Sequence, residues 1–404
     1  MDLTWSDEEE AFRAEARAWL ETELAAWRDR HDRRILSGDT EEGFAQHLDW
    51  ERTLFDGGWA VVSWPTEHGG RAASRWEWLI FEEEYYRAGA PPRITQNGIF
   101  LLAPTVFEYG NDAQRAHVLG RMARGDDLWC QGWSEPNAGS DLASLTCRAR
   151  RDEERGGWVL DGQKTWTTRG AFCTHLFGLF RTDPESERHR GLTYLLVPLD
   201  LDGVTVRGFG RLDGDEGFAE VFFDGAFVPD DVLPGGPVLG DVGAGWSVAM
   251  ATTSSERGLT LRSPGRFTAT AGRLVDLYRE RGGRDPVLRD RVVQAWMEAE
   301  AYRLQTLRTV TADAEGRPLG ARSSLTKLWW SELDVSLHET ALDLLGDRAE
   351  LDGPWSKGWQ FALSGPIYAG TNEIQRNIAA ERVLGLPREP RGDGRQAGAK
   401  GTGR

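Results

Sequence analysis

The chain has 404 residues and a net charge of −16, from 64 acidic and 48 basic side chains. That balance excludes a nucleic-acid backbone or a polybasic membrane surface as the basis of function. A chain that is 40% hydrophobic and 28% charged folds into globular domains, and this length asks for two or three of them.

Three cysteines, none in a CxxC pair, do not make a disulfide framework. The acidic N-terminus lacks the apolar core of a signal peptide, and no run approaches a membrane span. The expected location is cytoplasmic. Only four of the 48 basic residues are Lys, which reflects genome composition first.

Residues 1–128 read as an N-terminal helical domain. Ser6 and Glu9 have capping-box spacing, and Phe12, Ala16, Trp19, Leu20 and Leu24 recur at helical intervals. A further helix is expected over Trp76–Ala88, with Glu82-Glu83-Glu84 as a solvated face. Residues 129–235 read as a small central β-barrel domain. Trp158–Leu160, an Asp161-Gly162 turn and Gln163–Thr167 predict a hairpin. Short apolar runs follow at Leu176–Phe180, Leu192–Val197, Val204–Val206 and Glu220–Phe223. No long helix separates these strands, which disfavours a doubly wound sheet.

Helical period returns from about Gly243, and residues 236–387 read as a C-terminal four-helix-bundle domain. Its candidate helices are Val292–Leu307, Leu325–Leu345 and about Thr371–Val383. Residues 388–404, rich in Gly and Arg, read as a disordered tail. The fold class is thus α+β multidomain, ordered helical, β, helical.

There is no HExxH, no zinc-spaced Cys/His cluster and no GxxxxGK[ST], so no metal site is expected. Gly240–Gly245 is Gly-rich without the GxGxxG spacing and reads as a turn opening a helix at Trp246. Three segments remain. The loop Trp133–Asp141 gathers hydroxyls and backbone N–H groups, as an interdomain turn or a cradle for a ligand rich in acceptors. Trp166, within Lys164–Thr168, either plugs the barrel or walls a flat ring. Ile367–Asn377 places a Gly and a Thr just before a helix.

In this order, the three segments resemble the acyl-CoA dehydrogenase family. Ser134–Asp141 matches its [ST]-E-P-x-A-G-S-D loop, Gly162–Thr168 its G-x-K-x-W-x-T segment, and Tyr368–Arg376 its Y-x-G-T-x-E-I-Q-R segment. The resemblance spans roughly residues 5–387. It implies noncovalent FAD between the β domain and the C-terminal helices. It assigns Trp133, Ser134, Trp166, Thr168, Gly370, Thr371 and Glu373 to the cofactor, and Ser140, Arg257 and Tyr368 to the acyl-CoA substrate. The implied reaction is α,β-dehydrogenation of an acyl-CoA thioester, with electrons passed to an electron-transfer flavoprotein.

Two departures shape the expectation. Many relatives carry the catalytic base as Glu after the motif Tyr; this chain has Ala369 there, which cannot accept a proton. A minority, resembling isovaleryl- and long-chain acyl-CoA dehydrogenases, supply the base from an earlier helix, before an Arg, and that position is Glu256. The stretch Arg279–Val293 also lacks the R-x-x-F-G signature that reaches a neighbouring subunit's FAD. Glu381–Pro387 looks like actinobacterial members acting on bulky or steroid-derived acyl chains. A homo-oligomer, dimer or tetramer, and an α2β2 hetero-oligomer both follow as expectations. The alternatives are a flavin oxidase or N-hydroxylase on the same fold, and a non-catalytic subunit of a hetero-oligomer.

Overall fold

The computed structural model describes residues 4–256, 263–281, 285–317 and 320–388, with residues 254–256 as backbone alone. Helix α1 (Asp7–Arg30) starts at the capping box: the Glu9 N–H donates to the Ser6 hydroxyl at 3.2 Å, and the Ser6 N–H to the Glu9 carboxylate at 2.8 Å. Its buried stripe of Phe12, Ala16, Leu20, Leu24 and Trp27 packs toward α3 (Arg75–Arg87). Helices α2 (Glu41–Asp56), α4 (Ala103–Tyr109) and α5 (Asp112–Arg124) complete the first helical region. A π-helical turn, Asn97–Leu102, runs directly into α4.

The acidic face of α3 is not solvated. Glu82 and Glu84 are buried, and the Glu84 carboxylate takes Arg17 at 2.9 and 3.1 Å and Arg13 at 3.2 Å. Burial alone raises its pKa, but the arginines Arg17, Arg87 and Arg13 outweigh that and hold it below the usual carboxylate range. The charge run marks a helix–helix contact, because α1 brings the matching cations.

Seven strands form one sheet: β1 (Trp129–Gly132), β2 (Arg148–Asp152), β3 (Gly157–Thr168), β4 (His175–Arg181), β5 (Leu192–Pro198), β6 (Val204–Phe209) and β7 (Phe218–Pro229). The order is β1-β4-β2-β3-β7-β6, with β5 also on β4. The expected Asp161-Gly162 hairpin is instead the middle of the single strand β3, which pairs antiparallel with β7. Both primed two-residue turns need positive φ at their first central position, and here Gly162 has it (φ +133°) and Asp161 does not. A side chain at Gly162 would press on Cys147, so this glycine serves a close strand approach.

The region after the sheet is helical: α6 (Gly245–Glu256), α7 (Pro264–Glu280), α8 (Pro286–Ala314), α9 (Ser323–Leu345), α10 (Pro354–Ala362) and α11 (Asn372–Ile378). Within the span expected for one helix, Val292 and Ala299 are buried but Val293 and Trp296 are exposed. Helices α7, α8 and α9 share a core around Phe267, Tyr302 and Trp330. One face of the sheet (Trp129, Trp133, Phe177, Tyr194) joins a single core with the first helices and with Val248 and Ala249 of α6. The other face has its own core around Leu160, Phe180 and Val221. None of the described helices is long and apolar enough to cross a membrane.

Candidate active site

The Trp133–Asp141 loop is held from inside. Glu135 and Ala138 exchange backbone hydrogen bonds of 2.9 and 3.0 Å. The Glu135 carboxylate accepts from the Thr146 N–H at 2.6 Å, the Cys147 N–H at 2.8 Å and the Lys164 ammonium at 2.9 Å. Lys164 is completely buried and donates also to the Leu179 carbonyl at 2.7 Å. Burial pushes the Glu135 carboxyl up, but Lys164 and the backbone donors outweigh it, so the group stays below its ordinary pKa. The Thr165 N–H then donates to the Ser134 carbonyl at 2.9 Å. This bond stitches the loop to β3 one residue before Trp166.

Trp166 falls where the β3–β7 register slips between Lys164 and Thr167. Its φ of +57° and 61% exposure are those of a bulge residue turned out of the sheet. It is therefore not a barrel plug. Phe209 and Phe218 pack edge-on to its ring at 5.3 and 5.5 Å. The neighbouring Thr167 is buried and its hydroxyl has no partner, whereas Thr168 is half-buried beside it. Ser134 and Trp166 are thus brought together. Trp133 is buried beneath the loop, and Ser140 lies exposed at the loop's far end.

Charge ties three parts of the chain around this edge. Asp39 bridges Arg169 at 2.6 Å and Arg211 at 2.5 Å, and Lys357 of α10 reaches Asp215 at 3.1 Å. No motif announces these residues, because their partners lie more than a hundred residues away in the chain.

The Tyr368–Glu373 segment is anchored on α9. Ala369 and Gly370 are both left-handed (φ +57° and +79°), and Gln375 donates to the Ala369 carbonyl at 2.7 Å. The Asn372 side-chain oxygen accepts from Lys327 at 2.7 Å and from Ser331 at 3.1 Å. Thr371 caps α11 by accepting from the Ile374 N–H. Tyr368 packs 5.7 Å from the Trp330 ring, and Glu373 is exposed.

Glu256 is the last residue of α6 and its side chain is not described; Arg257 lies outside the described residues. One turn before Glu256, Thr252 bonds Thr105 of α4 at 2.8 Å and lies 3.4 Å from the Tyr194 hydroxyl of β5. The end of α6 is thereby fixed to both the helical region and the sheet.

Three acyl-CoA dehydrogenase domain models match in sequence: the N-terminal domain over residues 6–126, the middle domain over 130–226 and the C-terminal domain over 243–384. An acyl-CoA dehydrogenase of Mycolicibacterium smegmatis, IpdE1, is 40% identical, with 95% of this chain and 100% of the relative covered. The chain belongs to the acyl-CoA dehydrogenase family. The family's enzymes are oxidoreductases acting on the CH–CH bond of acyl-CoA, and this chain is one of them. Among solved structures, the Tcur3481–Tcur3483 steroid ACAD superposes with a TM-score of 0.83 at 28% identity, covering 96% of this chain and 100% of that one. The ChsE4–ChsE5 complex of Mycobacterium tuberculosis gives 0.78 at 26% identity over 96% and 100%.

The residues fit the flavin of this family. An exposed indole held in a strand bulge, two residues before the half-buried Thr168, suits a flat ring with a polar edge. Among the described residues, no cluster of three or more His, Cys, Asp or Glu suits a metal ion.

Proposed function

We propose that this acyl-CoA dehydrogenase binds FAD and removes hydrogen from the α and β carbons of a bulky, ring-bearing acyl-CoA, passing electrons to an electron-transfer flavoprotein. The observation that carries the cofactor reading is the bulge that exposes Trp166 next to the Lys164-clamped Ser134 loop. Bound FAD supplies the two-electron acceptor for the hydride from the β carbon. Ser134 and Thr168 hydrogen-bond its ring edge, Trp166 lies against it, Trp133 backs the loop, and Gly370, Thr371 and Glu373 help hold it.

Glu256 takes the α proton. Ala369 leaves the motif position without a base, and Thr252, locked to Thr105, fixes the turn that presents residue 256. A base in a dry site has its pKa raised toward working pH, which is what abstraction of a weakly acidic C–H requires. Arg257, Ser140 and Tyr368 border the thioester and its CoA.

The ring-bearing substrate is supported by the neighbour named a steroid ACAD. Two neighbours carry two-component names, which supports an α2β2 assembly over a homo-oligomer. Anaerobic titration with a panel of acyl-CoAs tests the reading: bleaching of the flavin band supports it, and no bleaching by any of them overturns it. Glu256→Gln is expected to retain FAD while flavin reduction slows by about 10³-fold or more. Near-normal reduction moves the base elsewhere.

A further inference from the structure

All three cysteines are free thiols, and two of them meet. Cys130 is the second residue of β1, completely buried in the core on the far face of the sheet, and its thiol donates to the His175 carbonyl at 3.3 Å. Cys173 stands two residues before β4, half-buried, and packs on the same core. The Leu128 carbonyl accepts from both the Thr174 and the His175 N–H at 2.9 Å, so the chain bends as it enters β4. That bend carries Cys173 back against Cys130, and the two thiols hydrogen-bond each other. Cys147, just before β2, presses instead on Gly162 of β3.

The two sulfurs differ in what they can do. Burial, with Cys173 alongside, pushes the Cys130 thiol well up, so it keeps its proton. Cys173 is the sulfur that solvent can reach. A reachable sulfur beside a second thiol is the arrangement that accepts an oxidising equivalent and resolves it as a disulfide. The proton and hydride transfers of the dehydrogenation use neither. Position gives the pair its consequence. Cys130 comes three residues before Trp133, and Cys173 five after Thr168. The segment 130–173 therefore contains both the Glu135-clamped loop and the Trp166 bulge.

We propose that Cys130 and Cys173 are a reversible disulfide site, closed by a hydroperoxide and reopened by a dithiol, that braces the segments carrying Ser134 and Trp166. The Cys173 sulfur, as thiolate, attacks one peroxide oxygen. The O–O bond breaks, water or an alcohol leaves, and the sulfur is oxidised by two electrons to the sulfenic acid. The Cys130 sulfur then displaces that hydroxyl, which departs as water with the Cys130 proton, and the S–S bond forms. A dithiol returns both thiols and is itself oxidised to a disulfide. Closing the bond fastens the entry of the loop to the exit of β3, and it limits the freedom of everything between them in the unfolded chain.

The test takes the full-length protein, treats the folded state with hydrogen peroxide, and counts thiols after quenching and unfolding. It needs no acyl-CoA, so it stands apart from the dehydrogenase reading. Wild type is expected to fall from three thiols to one and to return to three with dithiothreitol. Peptide mapping is expected to join Cys130 to Cys173. Cys147→Ala still loses two thiols, whereas Cys173→Ser keeps both of its own. The thermal midpoint of oxidised wild type is expected to rise by about 2–5 °C, and that of peroxide-treated Cys173→Ser to stay where it was. Three thiols surviving in wild type, a linkage through Cys147, or oxidation of Cys173 that dithiothreitol does not reverse overturns the site. A midpoint that does not rise when the mapped disulfide forms overturns the brace.

Discussion

Two buried carboxylates show what the fold does with charge. Glu135, in the β region, has Lys164, two backbone N–H groups and the Thr146 hydroxyl within hydrogen-bond distance. Glu82, in the helical region, has the Ser263 hydroxyl and an arginine already committed to Glu51. The consequence is opposite pKa behaviour. Glu135 is held below its ordinary value, whereas burial, only partly offset by Arg93, pushes Glu82 up to about 7. A carboxylate with every lone pair answered is architecture. One with fewer partners among the described residues holds its proton more tightly. Sequence position does not separate them, since both sit among motif-like neighbours.

The sharpest way to break that comparison is at Lys164. Lys164→Met leaves the Glu135 charge buried without its cation, at a cost of about 3–5 kcal/mol. Because the same loop presents Ser134 beside Trp166, FAD content is expected to fall together with the thermal midpoint. Pairing it with Glu135→Leu is expected to recover part of the stability, because no lone buried charge remains. If Lys164→Met is as stable as wild type and fully yellow, the clamp is not what holds the loop.

The next effect is smaller and concerns pH. Glu82 has a folded pKa near 7 against an ordinary value of 4.5, so the folded state binds this proton more tightly than the unfolded state. Stability from this group is full below about pH 4.5 and is lost as pH rises toward 7, by roughly 3 kcal/mol. Glu135 runs the other way: its contribution is present above 4.5 and is lost as pH falls through its depressed pKa. Denaturation of wild type and Glu82→Gln across pH 4.5–7.5 checks this. The variant is expected to lose the downward slope in that window. Parallel curves for the two proteins remove Glu82 from the account.

How much of this was readable beforehand follows the range of each interaction. The Ser6–Glu9 capping box, the helical stripe of α1 and the strands β4 and β5 were legible because their signals are local. The sheet's bulge at Trp166 was not, since it is set by the register against β7, about fifty residues on. Asp161-Gly162 misled for the same reason: the dipeptide permits a turn, but pairing with β7 and the approach of Cys147 make it strand. Glu83 and Glu84 looked solvated because the cations Arg13 and Arg17 that pair with them lie on another helix. For the candidate site, Ser134, Trp166 and Thr371 were singled out by motif. Glu135, Lys164 and Asp39 show their roles only through partners that the fold supplies.

The smallest prediction extends the comparison to the third region, where the Tyr368–Glu373 segment is secured by several separate polar bonds, one of them from the buried Lys327 ammonium. Thr371 caps α11 through the Ile374 N–H, but Asn372 is independently tied to Lys327 and Ser331, and Gln375 to the Ala369 carbonyl. Removing the cap with Thr371→Ala therefore costs only about 1 kcal/mol, the ordinary worth of an N-cap. Amide exchange at Ile374 is expected to quicken by about fivefold, and the global midpoint to move little. A collapse of the whole C-terminal region would mean that the hydroxyl, and not the Lys327–Asn372 contact, is what fixes the left-handed pair Ala369-Gly370 in place.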